Sequence, residues 1–437
     1  MPNLTHFTSG NRYPALLLLL LPFLITACFN PEPEDYGLVL EAVDVVCVEA
    51  TFRVTASGVP ETWSCGLYRD DSLVVTETLT GQSGYIRDTG LLPAADYTYH
   101  ITYMKDGRDT DRSDPAIVTT LDTTSHDFTW TVETLGDAGS YLNDVAIVDE
   151  NNIWVVGYIK EGDSIYNAAH WDGEKWEMIR VLSGHTAVTG ISYFSRDDIW
   201  VTLGVVAHWN GNEWILYHLW DMGIIHYPED GGVYQVWGSS SDNVWFAGNN
   251  GTLVHYDGSR FRRVESGTDV DIQDIDGNDK LTVATAWSYW DQNSYLLEIR
   301  DKQVSIKRHS SLPNGDWTVG DAGLFYSLDV LQEHVLFNTV RTAFVRWHIA
   351  SNTTTLILIE TTILNYLRPV HAIRANAVND IYFFTTAGEI AHYNGMTFKH
   401  INPGFPSVID LGDGAVKDEL IIAALRSKNI LIGRRNH

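Results

Sequence analysis

The chain has 437 residues, enough for two or three domains with a sizeable core, and its 56 acidic against 29 basic residues give a formal charge of −27. That balance excludes nucleic acid as a partner, because phosphate binding needs a basic face. The 15 Trp, 21 Tyr and 35 Gly favour β structure, aromatics fitting pleated surfaces and glycines the turns between strands, while helical periodicity is largely absent.

Residues 13 to 27 carry an apolar run from Ala15 to Ile25 behind a single cation, Arg12. This is signal-peptide length, too short to span a membrane comfortably. The run ends in Leu24-Ile25-Thr26-Ala27-Cys28, which resembles the lipobox of bacterial lipoproteins. The resemblance implies that residues 1–27 are a signal peptide and that Cys28 carries the lipid. Residues 28–35, with Pro31, Pro33, Glu32, Glu34 and Asp35, read as an extended, solvated tether. Acidic residues just after such a cysteine also look like the surface-export signals of some Gram-negative lipoproteins, and Phe29 in place of Asp does not indicate inner-membrane retention. The expected location is therefore the outer membrane, on its periplasmic or cell-surface face.

From 36 to 122 short alternating segments separated by Gly, Pro and Asp turns predict a small β-sandwich, with strands at 38–43, 50–54, 64–68, 73–76, 97–103 and 116–121. Leu91-Leu92-Pro93-Ala94-Ala95-Asp96-Tyr97, followed by Tyr99 and Ile101, resembles the tyrosine-corner segment of fibronectin type III domains. That family usually has a tryptophan in its second strand, and Phe52 stands in for it here. Cys47 and Cys65 both fall in this domain, and a disulfide or two buried free thiols remain open readings. The domain itself reads as a spacer.

Beyond residue 125 two phrases recur. His170-Trp171-Asp172-Gly173, His208-Trp209-Asn210-Gly211, His255-Tyr256-Asp257-Gly258 and His392-Tyr393-Asn394-Gly395 form one, and Trp154, Trp200, Trp245 and Tyr382 mark the strand before it. The repeat is about 40 to 50 residues, the length of a four-stranded propeller blade, and the gap before His392 leaves room for two degenerate copies. Inner strands are predicted near 141–148, 187–193, 233–238, 272–275, 324–331, 369–375 and 408–411, which makes seven blades over residues 125–437. The last unit is one strand short, and Phe128 to Glu133 is expected to complete it. The fold class is thus all-β, a fibronectin type III-like sandwich followed by a seven-bladed β-propeller. This pattern resembles bacterial secreted β-propellers with Trp-Val-Gly and His-Tyr-Asp-Gly repeats, some of them lipoproteins with a fibronectin-like domain in front.

The chemistry-bearing residues point away from catalysis. His170, His208, His255 and His392 would lie on different blades, too far apart to share an ion at about 2 Å, so they read as scaffold with Trp154, Trp200 and Trp245. The stretch from Asp269 to Asp279 superficially looks like a calcium loop, but Gly277 falls out of its register, and it aligns instead with an inner strand and its turn. No nucleophile elbow or metal motif is present, and no metal or cofactor is expected. For binding, Trp287, Tyr289, Trp290 and Tyr295 crowd one irregular loop, and His226 and Tyr227 lead into the third inner strand. The expected function is a lipid-anchored, non-catalytic binding or assembly scaffold for a protein or glycan partner. The alternative is an envelope glycan hydrolase or lyase, which carboxylates converging in a funnel would favour.

Overall fold

Short apolar–polar alternation between 39 and 119 produces eight strands in two facing sheets: β1 (Val39–Val45), β2 (Glu49–Thr55), β3 (Thr62–Arg69), β4 (Ser72–Thr80), β5 (Ser83–Thr89), β6 (Asp96–Lys105), β7 (Arg108–Arg112) and β8 (Ala116–Thr119). One sheet has the order β1-β2-β5 and the other β4-β3-β6-β7, with β8 also paired to β6. The computed structural model describes residues 35–288, 293–309, 325–339, 343–358, 370–385, 389–401 and 411–436. The signal segment, Cys28 and the tether up to 34 lie outside the described residues, as do Tyr289 and Trp290.

Phe52 and Ile86 from one sheet pack on Trp63, Leu67, Tyr99 and Ile101 from the other, with Phe52 and Tyr99 rings 4.5 Å apart. A tryptophan is therefore present in this core, on β3 rather than on β2, where Phe52 is fully buried. The Tyr97 hydroxyl accepts a hydrogen bond from the Leu92 amide at 2.9 Å, tying the strand to the corner before it. Cys47 and Cys65 are separate, buried free thiols. The Cys47 thiol donates to Asp122 O and the Cys65 thiol to Glu77 O, so the bridge between them is not formed. Burial pushes both up to about 11, which keeps them protonated and unreactive.

From residue 128 the described residues form seven four-stranded antiparallel sheets. Sheets one to six span 141–179, 190–217, 233–263, 272–309, 325–358 and 370–401. Sheet seven takes three strands from 411–435 and its fourth from β9 (Phe128–Thr134), which runs antiparallel to Asn429–Arg435 from the pair Arg435 and Phe128 to the pair Asn429 and Thr134. Its first strand is Leu411–Lys417, displaced C-terminally from the expected 408–411, of which 408–410 lie outside the described residues. Each first strand touches the first strand of the next sheet, and that of sheet seven touches that of sheet one, so the row closes into a ring. Seven separate apolar clusters fill the seven gaps between neighbouring sheets. A fully buried Val, Leu, Ile or Phe contributes about 1.5–3 kcal/mol, so the ring holds through these interfaces rather than through any one sheet.

The recurring phrases build a local device in four sheets. Trp154, Trp200, Trp245 and Tyr382 pair across the ladder with His170, His208, His255 and His392 and lie with their rings 4.0 to 4.6 Å apart. The Nε2 atom of each histidine reaches Asn152, Asp198, Asn243 or Asp380 at 2.8 to 2.9 Å. Asp172, Asn210, Asp257 and Asn394 accept backbone amides two and three residues on, and the glycine that follows each has a φ between +83° and +96°. These hairpins all lie on one face of the ring.

The sandwich docks on that hairpin face under sheets five and six. Arg346, whose side chain is 3% exposed, is ion-paired with Glu49 and lies 3.6 Å from Asp44, while His334 reaches Asp44 at 3.1 Å. The Thr124 hydroxyl donates to Asn379 O, Asn379 Nδ2 donates to Asp122 O, and His126 meets His392 at 2.8 Å. The domain is therefore seated on the ring. Arg346 pairs across the ladder with Leu336, as His392 pairs with Tyr382, so it occupies the repeat's histidine position in sheet five.

Candidate binding face and the channel beneath it

First strands start and second strands end on the face opposite the hairpins, so residues at those positions surround one mouth of the ring. Tyr141 is the first residue of the first strand of sheet one and Tyr234 the second residue of that of sheet three, and both are more than a third exposed. Tyr141 stacks on Tyr158 at 5.5 Å. The connection from sheet two to sheet three adds Trp220, Met222 and Tyr227, exposed by 38%, 48% and 84%.

That connection has a firm base. Leu219 and Ile225 are buried in the core between sheets two and three, and backbone bonds from Met222 to His218 and from Gly223 to Trp220 close the turn between them. Asp230, 3% exposed, accepts the His226 amide at 2.8 Å and Arg263 Nε at 2.6 Å, while its own amide donates to His226 O at 2.7 Å. Three apolar side chains thus project from a segment that its buried residues and Asp230 hold in place. Little ordering entropy remains to be lost when they are covered, the condition under which aromatic anchors bind well.

The candidate residues from sequence separate into two groups. His226 and Tyr227 are exposed on this pinned loop. Trp287 is half-buried, edge-on to Tyr326 at 5.0 Å, which in turn meets His371 at 5.3 Å. Tyr295 packs against the core between sheets three and four and so is removed from the binding set. Trp220 and Met222 escaped sequence reasoning, although an apolar residue on either side of Asp221 in a connection free of strand alternation was the signal for them.

Beneath the mouth the channel wall carries charges from the first strands. Arg374 donates to Asp274 at 3.2 Å, to Asp413 at 2.5 Å and to Leu328 O at 2.9 Å. Asp274 also takes the Leu328 amide at 3.1 Å, Asp276 the Val330 amide at 2.6 Å, Asp329 the Ala375 amide at 2.9 Å and Asp144 the Ile191 amide at 2.9 Å. Each of these bonds crosses to the next sheet, so the aspartates stitch neighbours together at the axis. The stretch from Asp269 to Asp279 contributes here as part of a first strand, Ile272–Gly277.

Burial pushes Asp144 up to about 7, helped by Asp413, and pushes Asp276 up to about 6. Burial also raises Asp329, with Asp276 adding to it. Burial works against the charge of Arg374, yet Asp413, Asp274 and Asp329 hold it well above its ordinary value. Asp274 and Asp413 are both ion-paired to this one guanidinium. Among the described residues no group of three or more His, Cys, Asp or Glu is arranged to hold a metal ion.

No protein-family model matches the chain, and no curated protein matches it. Solved structures do. A virginiamycin B lyase from Staphylococcus aureus, catalytically inactive and with quinupristin, is 15% identical, with a TM-score of 0.56 over 71% of this chain and 100% of that one. YCF48 bound to D1 peptide is 12% identical, with a TM-score of 0.52 over 70% of this chain and 95% of that one. A chain of a mitotic checkpoint complex is 10% identical, with a TM-score of 0.52 over 74% of this chain and 100% of that one. At these identities the likeness is one of fold alone, and the fold common to them and to the closed ring of four-stranded sheets is the β-propeller.

Proposed function

We propose that this chain is an exported, lipid-anchored cell-envelope protein whose propeller is a non-catalytic binding or assembly scaffold. In this reading Cys28 carries the lipid in the outer membrane, residues 28–35 are the tether, 36–122 a fibronectin type III-like sandwich and 125–437 a seven-bladed propeller. The observation that carries it is the set of exposed Trp220, Met222 and Tyr227 on a pinned connection, on the face opposite the docked sandwich. A chain anchored through the sandwich would turn that face away from the membrane. Two of the similar structures are YCF48 bound to D1 peptide and a chain of a mitotic checkpoint complex, and a protein partner is favoured over a glycan on that ground.

The test is capture from envelope extract together with a glycan array, comparing the wild type with Tyr227→Ala and Trp220→Ala. A partner retained at full strength by both variants overturns the reading. Anchoring is tested separately with Cys28→Ser, which should move the protein from the membrane to the soluble fraction.

The second reading, a glycan hydrolase or lyase, rests on Asp144, a carboxyl pushed up to about 7 on the channel wall and so able to carry a proton near neutral pH. Loss of glycan cleavage in Asp144→Asn would establish it. A chain inert towards envelope glycans would remove it.

A further inference from the structure

We propose that the partner segment covering this mouth is cationic, a Lys- or Arg-bearing peptide stretch whose charges meet acidic loops while its stems lie on the aromatic rings. This inference rests on the binding face proposed above and specifies what that face selects. Along the connections at 218–232, 249–252 and 264–271, which flank the mouth at sheets two to four, the sequence has no Lys and no Arg. Asp221, Glu229 and Asp269 are exposed there. Arg263, the nearby guanidinium, is already occupied by Asp230 and Glu265.

The field below the mouth has the same sign. Asp144, Asp274, Asp276, Asp329 and Asp413 stand on the first strands around Arg374, five carboxyls to one guanidinium. An anionic ligand would meet repulsion at the rim and again at the wall. A cation gains at both, and carboxylates around a cleft raise the local concentration of cations and steer their approach. Tyr227 and Trp220 offer ring faces to the same charge, each contact adding about 0.5–1 kcal/mol at an exposed site. Apolar area on Met222 and the two rings then accepts the methylene stems of Lys or Arg.

The experiment is a display selection of random peptides of about twelve residues on the full chain, followed by anisotropy measurements with individual enriched peptides. Enriched peptides should be net positive, should bind at least about tenfold more weakly to Tyr227→Ala and to Trp220→Ala, and should weaken by about tenfold with Asp221→Asn/Glu229→Gln/Asp269→Asn, with a shallower salt dependence. Neutralising Glu61, Glu77 and Asp106 on the sandwich removes the same number of charges and should leave binding unchanged. Equal losses in both triple variants would mean unspecific attraction to an acidic protein and would overturn the proposal. Enriched peptides that are neutral or acidic but still depend on Tyr227 would overturn it too, while leaving the binding face standing. Should no enriched peptide depend on Tyr227, both the proposal and the binding face fail.

Discussion

Replacing Arg346 by Ala tests whether the sandwich is seated on the ring by a buried ion pair. Arg346 is 3% exposed, and its partners Asp44 and Glu49 have side chains 7% and 12% exposed. Removing one member of a buried pair costs about 3–5 kcal/mol because it strands the opposite charge. The lower end applies here, since His334 still reaches Asp44 at 3.1 Å, and Thr355 at 3.4 Å and Arg87 at 3.8 Å remain near Glu49. A loss of about 3 kcal/mol raises the population with the sandwich lifted off by about a hundredfold. Lifting would uncover residues 122–126, now tied to sheet six through Asp122, Thr124 and His126. Native-state proteolysis of that segment reads this population directly when opening is fast relative to cleavage. Cleavage should accelerate by about two orders of magnitude in Arg346→Ala. It should return close to the wild-type rate in Arg346→Met/Asp44→Asn/Glu49→Gln, where no charge is stranded. An unchanged rate in the single variant, or an equal acceleration in the triple, would refute the seating.

Deletion of 128–134 removes the fourth strand of sheet seven, with Phe128 and Trp130 that pack on it, and should cost several kcal/mol and cause aggregation; an unchanged melting temperature would sink ring closure by β9. Gly395 has a φ of +92° and a Cβ there would sit 2.3 Å from Cys47 Sγ, so Gly395→Ala should destabilise the docked state by about 1–3 kcal/mol, measured by denaturant unfolding, whereas Gly162→Ala at an open turn should cost no more than its backbone strain. Burial pushes His255 down to about 4, with Lys302 adding to it, so between that value and the ordinary 6.5 the unfolded chain binds a proton the folded one refuses. Stability contributed by the neutral ring is lost as pH falls through this window, and NMR titration should find His255 neutral at pH 5.5 and raised by Asn243→Asp. A ring that titrates near 6.5 contradicts its burial against Trp245.

The sheets were legible where a repeat imposed them. Phrases such as His255-Tyr256-Asp257-Gly258 fix a hairpin turn, and the Trp245 phrase fixes the strand that pairs with it. In the sandwich β5 and β7 went unseen for a physical reason: β5 buries only Ile86 and Asp88, and β7 buries no residue fully, so neither has an apolar rhythm to read. Tyr295 looked like part of an aromatic loop, yet its place beside Ala286 in the ladder turns it towards the core. The docking of Arg346 on Glu49 joins residues 297 apart, and no local pattern carries such a contact. What sequence did signal was the loss of the repeat in sheet five, where Arg346 stands at the histidine position. The axial charges had a fainter mark, a lone charge inside an apolar strand, as in Leu328-Asp329-Val330 and Ile373-Arg374-Ala375.

The central claim is that the mouth bearing Tyr227 meets the partner while the hairpin face does not. A photo-reactive phenylalanine analogue placed at 227, and in a parallel variant at the exposed hairpin position of Glu174, tests it in intact cells. The account predicts a discrete adduct from position 227 that disappears when Trp220→Ala is added, and none from position 174. An adduct formed from 174 and absent from 227 would contradict it.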